Sequence, residues 1–142
     1  HYQAPFFHKT PELYHPWSRR HLQELEKVTA VNYVETLKRI RECRRDIRRI
    51  FEQVDILIMP TKRAVAPTIA ATVDESYKRP PSNTAAFNQF GTPAISIPCG
   101  FSRDSLPIGL QIVGPAFGEP RVLAAAYAYQ QATDWHTRRP NL

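Results

Sequence analysis

The groups in this chain that could relay a proton, attack a carbonyl or hold a metal are few, and their spacing keeps them apart. The histidines are His1, His8, His15, His21 and His136, and none forms the i,i+4 pair of an HExxH helix. Cys43 and Cys99 lack the CxxC partners that would suggest zinc. Ser96 lies in the apolar run "AISI" with no G-x-S-x-G elbow around it and no base beside it. Cys99, between Pro98 and Gly100, offers a thiol, but a free cysteine without an activating neighbour usually serves as a small packed hydrophobe. "VGPAFGEP" has a strand–glycine–helix outline, yet it matches neither G-x-G-x-x-G nor G-K-[ST]. Glu119 would also put negative charge where a helix N-terminus should receive phosphate. These residues do not combine into a catalytic set, and no metal site is expected.

The elements that would have to position any chemistry are easier to read. At 142 residues the chain suits one domain, burying roughly 70% of its unfolded surface if compact. A hydrophobic share of 42% and a charged share of 23% are those of an ordinary soluble protein. The longest apolar run, "LAAAYAY", is far short of the ~20 residues of a membrane helix, so no membrane partner is expected. With two cysteines and no secretory pattern, the expected setting is the reducing cytoplasm. The chain opens on His1 rather than methionine, which fits a processed or partial product.

The net charge of +6 raises nucleic acid as a partner. Most of it gathers in "LKRIRECRRDIRRIFEQV", where Lys38, Arg39, Arg41, Arg44, Arg45, Arg48 and Arg49 crowd together. Val34, Leu37, Ile40, Ile47, Ile50, Phe51 and Val54 form one helical stripe between them, and acidic residues such as Glu35 and Glu42 lie among the arginines. That pattern reads as the solvated face of an amphipathic helix. No RNA-binding motif accompanies it, so nucleic acid is not the expected partner.

Along the chain, residues 1–17 read as an irregular arm, interrupted by Pro5, Pro11 and Pro16 and rich in aromatics. Residues 18–53 read as helices: one capped by Ser18, then a long one from Thr29, as its N-cap, to about Gln53. Residues 54–142 read as a sheet-completing α/β segment. "VDILIMP" suggests a strand covered on both faces in a parallel or mixed sheet, and residues 61–82 a long connection. "SNTAAFNQFG" suggests a short helix capped by Ser82 or Asn83 and closed by Gly91. "PAISIP" and "PIGLQIVG" suggest strands, the first closed by Pro98, and 119–132 a final helix begun by Glu119 and Pro120. Val54–Met59, Ala94–Ile97 and Ile108–Val113 should share one sheet under helices 30–53 and 119–132. Three strands this apolar look like part of a larger sheet.

The order "FEQVDILIMPT", "NTAAFNQFGTPAISIPCGF" and "LPIGLQIVGPAFGEPRVLAAAYAYQQAT" resembles the C-terminal region of the amidase signature family, and "TAVNYVETLKRIRECRRDI" resembles the long helix before it. The resemblance covers nearly the whole chain and is most specific from Asn83 to Gly114. It implies an α/β fold, part of a mixed β-sheet with helices on both faces. It also implies amide C–N hydrolysis through an acyl-serine, using a lysine and two serines, one of them in an unusual cis peptide, and an oxyanion hole of backbone N–H groups. It implies no metal or organic cofactor. Those catalytic groups belong to an upstream lysine-bearing strand and a Gly/Ser-rich signature that this sequence does not contain, so Lys9, Lys27, Lys38, Lys62 and Lys78 are not assigned the role.

On that resemblance the chain supplies sheet and pocket wall, no catalytic residue, and is expected to be inactive alone. Thr84, Phe87 and Asn88, on one side of the short helix, are the expected substrate-pocket residues. The implied partners are a small amide substrate and the upstream part of the same polypeptide, and a homodimer is compatible with it. The A-type chains of tRNA-dependent amidotransferases, a second branch of the family, carry an acidic residue ahead of the "FN" helix. That position is Pro81 here, with Asp74 and Glu75 farther upstream, which favours a general amidase over an amidotransferase component. The non-enzymatic alternative is a binding module built on the basic helix.

Overall fold

The computed structural model describes residues 3–73, 76–78, 80 and 82–139; His1, Tyr2, Asp74, Glu75 and Pro81 lie outside the described residues. Two compact units are distinguished. One comprises His1–Leu37 with Thr68–Tyr77, the other Lys38–Pro67 with Lys78–Leu142, and one boundary falls inside a helix.

In the first unit the arm expected to be irregular is folded. Helix α1 spans Ala4–Phe7 and a 3₁₀ turn spans Pro11–Leu13. Pro5 is the second residue of the one and Pro11 the first of the other, positions that suit proline because a first helical turn needs no N–H. Phe7 is buried, edge-on to Tyr14 at 5.4 Å, and the Tyr14 hydroxyl donates to Gln3 Oε1 at 3.1 Å. Arg19 donates to the carbonyls of Glu12 and Tyr14, so aromatic burial and satisfied carbonyls hold the prolines in turns. Helix α2 spans Pro16–Glu26 and starts before the expected Ser18, because His15 Nδ1 accepts from Trp17 N and caps it. Helix α3 spans Ala30–Ile50; Thr29 Oγ1 accepts from Asn32 N at 3.2 Å, the expected cap. It ends three residues earlier than expected, in a turn over 51–53. Helix α4, Ile69–Val73, is short.

The second unit holds the sheet. Strands β1 (Leu57–Pro60), β2 (Ala94–Phe101) and β3 (Pro107–Val113) lie in the order β1-β3-β2, and both pairings are antiparallel. The three expected strands do share one sheet, but no parallel pairing occurs among the described residues. Strand β1 starts at Leu57, not Val54, because Asp55 stays in solvent and pairs with Arg121 at 3.2 Å. Nor is β1 covered on both faces: Leu57 and Met59 are partly buried while Ile58 is 63% exposed. Pro60 is tolerated because, among the described residues, β1 lies at the edge of the sheet. Pro98 does not close β2. A bulge between Pro98 and Gly100 carries pairing on to Phe101, and Gly100 takes a φ of 156° there. The β2–β3 connection is tied by Ser102 N to Leu106 O at 2.8 Å, with Ser105 at a φ of 58°.

Side-chain alternation divides the sheet into two faces. Ile95, Ile97, Leu110 and Ile112 meet Val122 and Ala126 of helix α6, Glu119–Ala132. On the other face Val113, fully buried, packs with Ile47 of α3 and Phe87 of helix α5, Thr84–Phe90. Helices therefore cover both faces, and α6 has the bounds read from sequence. Among the described residues no helix is long and apolar enough to cross a membrane.

Candidate functional site

Helix α5 is fixed at both ends by devices written in its flanks. Gly91 takes the left-handed conformation at φ 70°, and its N–H returns to the Phe87 carbonyl at 3.0 Å. At the start, Ser82 Oγ rather than Asn83 receives the Thr84 N–H, at 3.3 Å, and shares a 2.7 Å bond with the Thr84 hydroxyl. Asn83 instead reaches the sheet: its Nδ2 donates to the Pro60 carbonyl at 2.7 Å, tying the helix start to the end of β1.

Of the three expected pocket residues, the structure puts Phe87 in the core with Ile47 and Val113, Thr84 half-buried beside Ser82, and Asn88 exposed. The i,i+3 and i,i+4 spacing puts them along one helix side but does not give them one environment. Phe87 anchors that side, and Asn88 is the polar group left accessible beyond it.

Next to the Asn83–Pro60 link, the residues after β1 turn across the sheet. Thr61 N donates to Gly109 O at 2.8 Å, and Lys62 and Ser82 form an antiparallel bridge. A cleft of about 470 Å³ opens there, lined by Pro60–Ala66, Ser96 and Pro107–Gly109. Its floor carries a hydroxyl pair, Thr61 Oγ1 and Ser96 Oγ, 2.6 Å apart. One hydroxyl must donate to the other, so the pair keeps one free O–H and several lone pairs for a ligand. Gly109 makes the pair sterically feasible: a Cβ there would lie 2.7 Å from Thr61 Oγ1 and 2.8 Å from Ser96 Oγ.

Sequence reasoning passed over this pair because Ser96 reads as a lone hydroxyl in an apolar strand. The signal was the alternation: Ser96, Gly109 and Gln111 share the face opposite Ile95 and Ile97. Gln111 is 1% exposed, and its Nε2 has no partner among the described residues.

The other candidate nucleophiles stay apart. Cys99 Sγ reaches the Ile108 carbonyl at 3.5 Å, and Cys43 is exposed on α3. His136 lies in a 3₁₀ turn, Trp135–Thr137, its Nδ1 buried without a partner among the described residues. Among the described residues no three His, Cys, Asp or Glu side chains gather to hold a metal. The arrangement can bind and orient a polar group. Among the described residues it pairs no nucleophile with a base.

A family model described as Amidase matches residues 3–123. The A-type chain of the glutamyl-tRNA(Gln) amidotransferase of Thermodesulfovibrio yellowstonii is 43% identical over 99 residues, which cover 68% of this chain and 20% of that protein. Among solved structures, a 6-aminohexanoate cyclic dimer hydrolase with bound substrate matches with a TM-score of 0.69 and 29% identity, over 88% of this chain and 29% of that one. The A-type chain of the glutamyl-tRNA(Gln) amidotransferase of Thermotoga maritima matches with a TM-score of 0.52 and 26% identity, over 74% of this chain and 24% of that one. The chain thus spans about a fifth of the length of the curated relatives it matches.

Proposed function

The chain belongs to the amidase family, and from that premise we propose that it is the C-terminal part of an enzyme that hydrolyses carboxylic amides through an acyl-serine. The match over residues 3–123 carries this reading. In such a reaction a serine oxygen attacks the amide carbonyl, and the collapsing intermediate expels ammonia or an amine. Water then cleaves the ester to the acid. The nucleophile, its base and the oxyanion donors belong to polypeptide upstream of this chain.

This chain's part is to shape the pocket. Phe87 locks α5 into the core, Thr84 fixes the helix start, and Asn88 presents its amide to the substrate. The cleft with the Thr61–Ser96 hydroxyl pair extends that wall past the end of β1. The A-type component of a tRNA-dependent amidotransferase is the second reading, supported by the 43% identity to a relative of that kind. The higher TM-score of the hydrolase structure supports the first.

The test is to assay simple amides with residues 1–142 alone and with the upstream polypeptide joined to them. Turnover is expected only from the joined chain, and it should vanish when the upstream serine nucleophile becomes alanine. In the joined chain, Asn88→Ala should lower kcat/KM about tenfold or more while melting stays within about 0.5 kcal/mol. Robust turnover by the isolated chain would refute the reading, and equal loss of activity and stability would remove Asn88 from the pocket. An enzyme that makes ammonia from glutamine only when further protein components are added would establish the second reading.

A further inference from the structure

Away from the Thr61–Ser96 cleft, a second cleft of about 370 Å³ opens between α3 and the segments that follow α5 and β3. It is lined by Arg44, Ile47, Arg48, Phe51, Phe90, Thr92, Pro115 and Ala116. Nothing in the amide chemistry uses it. Two features separate it from an ordinary charged helix face.

The first is how its arginines are held. Arg44 Nε donates to the Gln89 carbonyl at 2.9 Å, and Arg48 Nε donates to the Arg44 carbonyl at 3.0 Å. Each guanidinium is therefore anchored through Nε. Among the described residues no hydrogen bond or ion pair is formed by the terminal nitrogens of either. A guanidinium held through Nε is partly ordered before a ligand arrives, and its free edge presents two parallel N–H donors to a planar or tetrahedral oxyanion. Arg44 and Arg48 are one helical turn apart, which sets the two forks side by side. No acidic residue lines the cleft, and the nearby Asp46 pairs with Arg49 at 3.6 Å.

The second is the floor. Ile47 is buried and Phe51 and Phe90 are partly buried, so one wall is apolar and aromatic. Thr92, which also lines the cleft, has its Oγ1 enclosed with no hydrogen-bond partner among the described residues. Charge at one end and flat apolar surface at the other define the occupant.

We infer that this cleft binds a small molecule carrying an oxyanion, carboxylate or phosphate, on a flat apolar body. The anion lies against Arg44 and Arg48, and the body lies against Phe51 and Phe90. This is a site separate from the amide pocket, and its test does not depend on amide turnover.

The experiment titrates the full chain with phenyl phosphate and with benzoate by calorimetry, with inorganic phosphate and benzamide as partial ligands. At least one of the two aryl anions should bind, at least tenfold more tightly than inorganic phosphate or benzamide, and which one binds identifies the anion. Arg44→Gln with Arg48→Gln should weaken that binding at least tenfold. Arg44→Lys with Arg48→Lys, which keeps the charge and the fold but loses the forks, should weaken it several-fold. Lys38→Gln with Arg39→Gln, on another side of α3, should leave it unchanged, and circular dichroism checks the helix content of every variant. Absence of binding by both aryl anions, equal affinity for inorganic phosphate, or equal losses from the Lys38/Arg39 pair would overturn the inference.

Discussion

The two units of this chain are built from similar apolar content, and both leave large hydrophobes exposed, but nearly all of the fully buried ones lie in the second. The unit of 38–67 and 78–142 contains Ile47, Phe87, Ile97, Ile112, Val113, Val122 and Ala126, every buried hydrophobe among the described residues but one. Among the described residues, the unit of 1–37 and 68–77 buries one hydrophobe, Phe7, and leaves Leu13, Trp17, Leu25, Val31, Tyr33 and Ile69 exposed. The difference lies in architecture. A sheet offers two flat faces that helices can cover, whereas a few short helices and turns present stripes with little to cover them. The first unit is held by directional contacts such as Tyr14 to Gln3 and Arg19 to two carbonyls, the second by packed apolar area.

Matched substitutions with separate reporters give the strongest test of that contrast, since Trp17 lies in one unit and Trp135 in the other. Phe87→Ala, followed through Trp135 fluorescence in a Trp17→Phe background, should lower stability by about 3–5 kcal/mol. Phe7→Ala should shift the transition seen by Trp17 and leave the one seen by Trp135 in place. A common shift in both would show that the units melt as one body.

A smaller effect is expected inside the second unit. Gly109→Ala should cost about 1–3 kcal/mol, because the new methyl displaces the Thr61–Ser96 hydroxyls. Ser96→Gly removes one of the two close contacts, so the double variant should be less destabilised than the sum by more than about 0.5 kcal/mol in denaturant melts. Additive losses would mean that the strand, not the hydroxyl pair, resists the change.

The smallest effect should come from the surface. Asp55 and Arg121 are 89% and 59% exposed at the side chain, so water and salt screen their attraction. Asp55→Asn should change stability by less than about 1 kcal/mol, and by less still in high salt. A loss comparable to that of Phe87→Ala would place directional contacts, not packing, at the centre of the second unit too.

How much of this was legible depended on whether local signals agreed. Helix α6 was readable to the residue because Glu119-Pro120 opens it and an uninterrupted helix-forming run follows. Gly91 marked the end of α5 for the same reason: only one conformation of the backbone fits there. The arm was misread because three prolines argue against long helix but say nothing against short elements with proline in their first turn. Pro98 was misread because a bulge, which depends on the partner strand, can carry pairing past it. In the site, the position of α5 was visible in its caps, and the assignment of Thr84, Phe87 and Asn88 to the pocket is carried forward as a proposal. The Thr61–Ser96 pair was hidden because its members come together only when β1 and β2 flank the same strand.

The strand order β1-β3-β2 also sets a schedule. Strand β3 joins β2 across the short connection tied by Ser102 and Leu106, a closure of the kind that takes about 1–10 μs. Strand β1 precedes the other two in this chain, yet its partner in the sheet among the described residues is the last of the three to be made. At roughly 5–20 residues per second, Leu57 to Pro60 waits about 3–10 s for β3 to emerge. During that interval Leu57, Ile58 and Met59 stand without that partner on the nascent chain. Among these three strands the sheet therefore grows outward from a late-arriving centre, and β1 is the one that waits longest for its partner.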